Sequence, residues 1–349
     1  MPKKSVSSAS AGVRKIDGQT PKQFRCGFAA IIGRPNVGKS TLLNRLVGQK
    51  VSIVTSKPQT TRNRIQGIVN QPGGQLILID TPGLHRASTI LGRQMLSEIE
   101  QAMEGVDVLV PMLDASAPLG DGDRAVLDRA AKFEGPAVLL LNKIDRLPKE
   151  KLLPLIETCN SARDFAAIIP VSALNGDGVA VLLAKLVELL PIGEPLFPAD
   201  QVTDQPERFL VAEIVREKAM AGTKQEVPHS VAVLVDTFEE TPKLLRIRAT
   251  IYVEREGQKG ILIGRAGAML KHVGTAARLE IEKLMGSKVF LELYVKVHPE
   301  WRNNPAVVQQ LDWRAQLEHL SEIQQGQKPF NETGEDEEEG GDGVDDDDK

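Results

Sequence analysis

The sequence predicts an α/β domain built on a mostly parallel sheet, followed by a smaller α+β domain. Three observations carry that prediction. Across residues 26–190, five apolar runs alternate with stretches of helical spacing, the pattern of strands joined by crossover helices. Residues 191–206, "PIGEPLFPADQVTDQP", then bring four prolines and no periodicity, which marks a linker. Beyond it, "LLRIRATIYVER" alternates strictly: Leu245, Ile247, Ala249, Ile251 and Val253 on one face, Arg246, Arg248, Thr250, Tyr252 and Glu254 on the other. A length of 349 residues suits two domains.

The first domain's runs are "FAAII" (28–32), "LILID" (76–80), "VDVLVPML" (106–113), "AVLLLN" (137–142) and "AIIPVSA" (167–173). They are near-continuously apolar, as parallel strands buried on both faces are. Helical spacing falls near 93–104, 123–133, 149–160 and 178–190, and "RIQGIVN" (64–70) reads as an edge strand. In the second domain, "RFLVAEIVREKAM" reads as a helix and "VAVLVDTF" as a strand. The alternating strand follows, then "GQKGILIGRAGAML" with an amphipathic helix to about Met285, the strand "KVFLELYVKV" (288–297) and a last helix after Trp301.

Composition narrows the class. An apolar fraction of 41% and a charged fraction of 26% fit a globular protein. Aromatics at 4% leave little material for an RRM-type stacking platform. Cys26 and Cys159 stand far apart without a C-x-x-C, so no disulfide framework is implied and a reducing cytosol fits. No apolar run reaches the ~18 residues of a membrane span. The N-terminus has no apolar core of a secretory signal. The net charge of −4 hides an asymmetry: residues 331–349 carry −10, residues 1–25 carry +5. Both ends are expected to be disordered, a basic extension over 1–25 and an acidic tail over 326–349. A transit peptide is a second reading of the basic end, although its amphipathic pattern is weak.

"GRPNVGKSTLLNRL" (33–46) follows the first apolar run and opens a helix. That context makes G-x-x-x-x-G-K-[ST] a phosphate loop. Gly33 and Gly38 allow a tight turn whose N–H groups face a phosphate, and Arg34, Pro35, Asn36, Val37 and Thr41 complete the cradle. Lys39 reaches the β- and γ-phosphates, Ser40 offers its hydroxyl to Mg²⁺, and the helix adds the positive end of its dipole.

Three further stretches select the base. "DTPG" (Asp80, Thr81, Pro82, Gly83) ends one strand: Asp80 holds a Mg²⁺ water and the Gly83 N–H meets a γ-phosphate. "NKID" ends the next but one. Asp145 accepts both the N1–H and the 2-amino group of guanine, which adenine lacks, so adenine would strand a buried carboxylate. Asn142 bonds the purine's other edge and the Lys143 stem packs on the base. "SAL" (172–174) supplies Ser172 and the Ala173 N–H for guanine O6. The ligands expected are GTP and GDP with Mg²⁺.

These motifs, in this order and at strand ends, resemble those of the translation-factor-related small GTPases, which share a P-loop NTPase G-domain fold. A P-loop kinase has no use for NKID or DTPG. "KPQTTRNR" (57–64) fits the switch I position, with Thr61 the best Mg²⁺ ligand. Where Ras-like GTPases carry a water-positioning Gln, Leu84 stands, then His85. The resemblance implies instead a subgroup whose P-loop Asn, here Asn36, helps bind K⁺ at the phosphates. Lys39, Thr61, Gly83 and Asn36 are thus the expected catalytic set.

In the second domain Gly264-Arg265-Ala266-Gly267 forms G-x-x-G between an apolar stretch and a helix. Such a turn clamps a nucleic-acid backbone in KH domains. The order helix, strand, strand, G-x-x-G, helix, strand matches the type II form. Residues 243–302 hold twelve bases against six acids, an RNA footprint to which Lys259, Arg265 and Lys271 contribute. A GTPase followed by such a domain resembles the Era family over roughly residues 26–320, with "QTTRNRI" and "GQKGILIGRAGAMLK" as specific support. The resemblance implies binding of small-subunit rRNA near its 3′ end, assistance to rRNA processing and to 30S subunit biogenesis, and a cytoplasmic protein loosely associated with the membrane. A monomer is expected. The expected domains are 26–190 (GTPase), 191–206 (linker) and 207–325 (KH). An RNA-binding scaffold that holds nucleotide with negligible turnover is the alternative that Leu84 keeps open.

Overall fold

The computed structural model describes residues 23–315, except 58, 86 and 225, together with residue 317. Residues 1–22 of the expected basic extension, the acidic tail and the last residues of the expected KH unit lie outside the described residues, whereas Arg25, expected in that extension, opens the first strand.

The first unit contains β1 (Arg25–Gly33), α1 (Lys39–Val47), β2 (Ile65–Gln71), β3 (Gly74–Asp80), α2 (Ile90–Met103), β4 (Val108–Asp114), α3 (Asp121–Lys132), β5 (Val138–Asn142), α4 (Leu152–Asn160), β6 (Ala167–Val171) and α5 (Val179–Leu189). Its six strands run in the order β2-β3-β1-β4-β5-β6. Only β2 is antiparallel to its neighbour, at the edge where the sequence placed it. Side-chain alternation divides the core: Ala29 and Ile31 pack with α1 and α5 on one face, Ala30 and Ile32 with α2, α3 and α4 on the other. Both faces are covered, which is why the strands read as unbroken apolar runs. The carboxyl ends of β1, β3, β5 and β6 converge at one rim, where α/β sheets bind ligands.

Residues 191–206 are packed along the first unit. Cys26 N–H donates to the Pro191 carbonyl at 3.0 Å and Ile68 N–H to that of Val202 at 2.9 Å. The Gln75 side chain accepts from the N–H groups of Leu196 and Phe197 at 2.8 and 2.9 Å. These attachments run through backbone groups, which leave no side-chain periodicity to read.

The second unit contains α6 (Glu207–Ala221), α7 (Val227–Ser230), β7 (Ala232–Glu240), β8 (Leu245–Val253), α8 (Glu256–Ile263), α9 (Ala268–Met285), β9 (Val289–Val297) and α10 (Pro305–Gln310). β8 is central, antiparallel to β7 and parallel to β9. Its alternation holds for Leu245 through Val253 on the buried face. Thr250 departs from it, because its hydroxyl is buried against Asp236 at 2.8 Å. Before Met285 the chain forms two helices, α8 and α9, broken at the G-x-x-G turn. Leu91 and Met95 of α2 share a core cluster with Ala232, Trp301 and Val308. The two units are therefore joined through the helix that follows DTPG.

Candidate nucleotide site and nucleic-acid interface

The phosphate loop has the geometry its glycines suggest. A Cβ on Gly33 would lie 2.7 Å from the Met112 carbonyl oxygen. Gly38 has φ +109° and its Cβ would meet the Asn142 amide at 2.4 Å. Gly83 sits under Pro35, whose Cα would be 2.8 Å from an added Cβ. At all three places backbone approaches closely only because no side chain intervenes. Lys39 is buried, its Nζ donating to the carbonyls of Gly33 and Arg34 at 3.2 and 3.3 Å. Burial pushes its ammonium down to about 8, against the pull of Asp80.

Four oxygen-bearing side chains meet beside Lys39. Asp80 Oδ2 accepts from Ser40 at 2.6 Å, Ser52 at 3.1 Å and Thr61 at 3.3 Å, and the Ser40 and Thr61 hydroxyls are 2.9 Å apart. Asp80 is fully buried, and its Oδ1 has no protein partner. Burial pushes this carboxyl up, opposed by Lys39 and the three hydroxyls. An orphaned buried carboxylate oxygen beside two hydroxyls is a hard-oxygen donor set that suits Mg²⁺. Ser40, Thr61 and Asp80 would hold the ion or its waters, and it would neutralise charge on the β- and γ-phosphates. Leu84 is buried, its N–H donating to the Gly33 carbonyl at 3.0 Å, and the His85 ring rests on the Gly83 carbonyl at 2.9 Å.

A cavity of about 300 Å³ runs from Lys39 and Ser40 to Asp145 and Ala173. At its far end Ser172 donates to Asp145 at 2.6 Å. Asn142 bridges two loops: it donates to the Val37 carbonyl at 2.7 Å and accepts the Ala173 N–H at 2.9 Å. Both groups expected at the purine edge are thus engaged with each other here. Lys143 lines the cavity, bonding the Asn36 carbonyl at 2.8 Å and Asp114 at 2.7 Å. Asp114 also pairs with Arg34 at 3.1 Å. Burial disfavours its charge, but Lys143 and Ser116 hold its carboxyl below the usual range. Sequence reasoning missed Ser52, Asp114 and Arg45, which donates to the Ala173 carbonyl at 2.7 Å. Ser52 and Asp114 lie outside every quoted motif, and Arg45 lies beyond the G-x-x-x-x-G-K-[ST] pattern itself.

In the second unit the G-x-x-G turn sits between α8 and α9. Gly264 has φ +73°, and its Cβ would fall 2.7 Å from Met269 Cβ. Ala266 is also left-handed, at φ +50°. Gly267 caps α9 with open space around it. Arg265 and Lys271 are exposed beside the turn and Lys259 is half-buried. The positive end of α9 opens at this turn, with Gly267 as its cap.

Comparison with known proteins matches this arrangement. Residues 28–143 fit the family described as 50S ribosome-binding GTPase and residues 226–302 the KH domain. GTPase Era of Geotalea uraniireducens is 50% identical over 295 residues, covering 84% of this chain and 99% of its own. This chain belongs to the Era family of GTPases. GTPase Era of Syntrophus aciditrophicus is 46% identical, with 86% and 99% covered. A crystal structure of Era with MgGDPNP and nucleotides 1506–1542 of 16S ribosomal RNA superposes with a TM-score of 0.81 at 42% identity, covering 83% of this chain and 99% of that one. An Aquifex aeolicus Era variant bound to GDP and AlF4⁻ gives 0.80, also at 42% identity. As in the Era fold, a P-loop G domain is followed by a KH domain, and the chain is a GTPase.

Proposed function

We propose that GTP binding and hydrolysis at the P-loop control the grip of the KH domain on small-subunit rRNA near its 3′ end, and that the chain thereby assists rRNA processing and 30S assembly. The observation that carries this reading is the presence in one chain of Asp145 at the end of the nucleotide cavity and a G-x-x-G turn whose Gly264 admits no side chain. The Era structure solved with 16S rRNA nucleotides supports the choice of RNA. The domain division follows: a GTPase unit over 26–190, a packed connector over 191–206, and a KH unit from 207. Arg265, Lys259, Lys271 and the N–H groups around Gly264 to Gly267 take the RNA backbone.

In the nucleotide site the loop from Gly33 to Thr41 cradles the phosphates, Thr81 to Leu84 follow the γ-phosphate, and Asp145 reads guanine. Asn142 and Ala173 hold the base pocket in register. Asn36 would help hold K⁺, which would supply the charge that a catalytic arginine supplies elsewhere; its amide bonds the Ser56 carbonyl, just before switch I, at 2.9 Å. Among the described residues no helix is long and apolar enough to cross a membrane. Contact with a membrane in this reading is peripheral, through the basic N-terminus of a cytoplasmic monomer, and liposome flotation of a chain lacking residues 1–22 tests it. Multiple-turnover phosphate release with and without the rRNA 3′ end tests the main reading. Turnover stimulated by RNA is expected. Negligible turnover in every condition would leave the scaffold alternative that Leu84, in place of Gln, keeps open.

A further inference from the structure

Thr61, whose hydroxyl lies beside Ser40 and Asp80, sits between two residues held by the KH unit. On one side the Thr60 carbonyl accepts from the Arg216 guanidinium of α6, and the Gln59 carbonyl lies 3.5 Å from the same group. Gln59 has φ +60°, a conformation that costs a residue with a Cβ, so the segment relies on contacts that hold it. On the other side Arg62 donates to the carbonyls of Val231 and His229 at 2.8 and 3.2 Å and lies over the Trp301 ring. Val54 N–H donates to Glu217 at 3.1 Å, and the Asn63 amide to the Leu311 carbonyl at 3.2 Å. Every one of these partners belongs to the second unit.

Arg216 is itself fixed. It is nearly inaccessible, at 2% exposure. Glu213, one turn earlier on α6, takes its Nε at 2.7 Å and its Nη2 at 2.6 Å, a bidentate pair that sets the plane of the guanidinium. The neighbouring Glu217 bonds Lys50 at 2.5 Å and Lys218 at 2.9 Å. Both lysines also pair with Glu280 of α9, the helix that starts at the G-x-x-G turn.

We propose that Arg216 is a positioning residue for GTP hydrolysis, supplied by the KH unit: it holds the Thr60 carbonyl and so sets Thr61 where Mg²⁺ and the γ-phosphate are met. Arg216 does not line the nucleotide cavity, and its partners are Glu213, Met220 and the carbonyls of Gln59 and Thr60. The chemistry identifies which state depends on it. GDP places no demand on switch I, whereas the GTP state requires its threonine. Losing Arg216 therefore weakens the GTP state and spares the GDP state. The inference rests on the GTPase reading, which wild-type turnover checks separately.

The test uses the full chain as wild type, Arg216→Met and Arg216→Lys. Three quantities are measured: affinity for GDP and for a non-hydrolysable GTP analogue, the Mg²⁺ concentration giving half-maximal turnover, and trypsin cleavage after Arg62 without nucleotide. For Arg216→Met, GDP affinity is expected to stay within about twofold while analogue affinity falls by ~5–50-fold. The Mg²⁺ requirement rises and cleavage after Arg62 accelerates. Arg216→Lys restores part of each, because an ammonium can donate to Thr60 but cannot form the bidentate pair with Glu213. Equal losses for GDP and analogue would make Arg216 a general fold contact and overturn the proposal. So would wild-type values for all three quantities in Arg216→Met.

Discussion

Ser172 donates its hydroxyl to Asp145 at 2.6 Å, and so fixes the carboxylate at the end of the nucleotide cavity. A carboxylate held there accepts from two donors of guanine, and an amide in its place would present a donor of its own. Asp145→Asn is therefore expected to lower GTP affinity by at least ~100-fold and to bring xanthosine triphosphate above GTP. Competition between the two nucleotides for a fluorescent analogue measures this. Equal affinity of the wild type for ATP and GTP would remove the guanine assignment.

Lys39 supplies a pH dependence. Its buried ammonium titrates at about 8 without nucleotide, and bound phosphates raise that value by opposite charge. Below about pH 8 the proton is present in both states and affinity is flat. Above it the free chain has lost the proton and must regain one on binding, so affinity falls by up to about tenfold per pH unit. Calorimetry at about pH 8.5 in buffers of different ionisation enthalpy should show net proton uptake on GDP binding. Unchanged affinity between about pH 7 and 9 would contradict the Lys39 assignment.

Potassium is the third expectation. Asn36 has φ +61°, and its amide reaches from the phosphate loop to the Ser56 carbonyl. A K⁺ held between these segments would place positive charge where the transition state develops negative charge. Turnover should be about tenfold faster in K⁺ than in Na⁺ at equal ionic strength, and Asn36→Ala should remove the difference. Identical wild-type rates in the two salts would exclude this role.

What the sequence revealed about the site follows from how local each signal is. Asp80 and Asp145 sit in tetrapeptides at strand ends, so their neighbours announce them. Asp114 also ends a strand, yet its partners Arg34 and Lys143 are 80 and 29 positions away in the chain, and no short pattern encodes the triad. Ser52 meets Asp80 because the segment after α1 folds back onto the Asn44 side chain. Arg216 reads in sequence as one more charge on an amphipathic helix; only tertiary packing gives it the Thr60 carbonyl. The strands were legible because burial on both faces leaves only apolar residues, whereas residues 191–206 attach through backbone groups that composition cannot reveal.

The last expectation concerns communication between the two units. Switch I is gripped by α6, and Glu217 of that helix shares lysines with Glu280 of α9. Glu217 is buried and Lys50, Lys218 and Glu280 are half-buried, so salt screens this cluster less than exposed pairs. A switch that rearranges on loss of the γ-phosphate must alter its contacts with α6, and α9 carries the G-x-x-G turn. RNA affinity is then expected to be higher with a non-hydrolysable GTP analogue than with GDP. By linkage RNA raises GTP affinity relative to GDP affinity by the same factor, typically 1–3 kcal/mol or ~5–150-fold. Gly267→Asp places a carboxylate in the open space at the start of α9, where it meets the RNA phosphates. RNA binding should be lost while GTP binding to the full chain is retained. Lys50→Met, which removes one shared cation, should leave binding to each ligand measurable but shrink the ratio between the two nucleotide states. RNA affinities equal in the analogue and GDP states, at one fixed salt concentration, would mean that two independent functions share the chain.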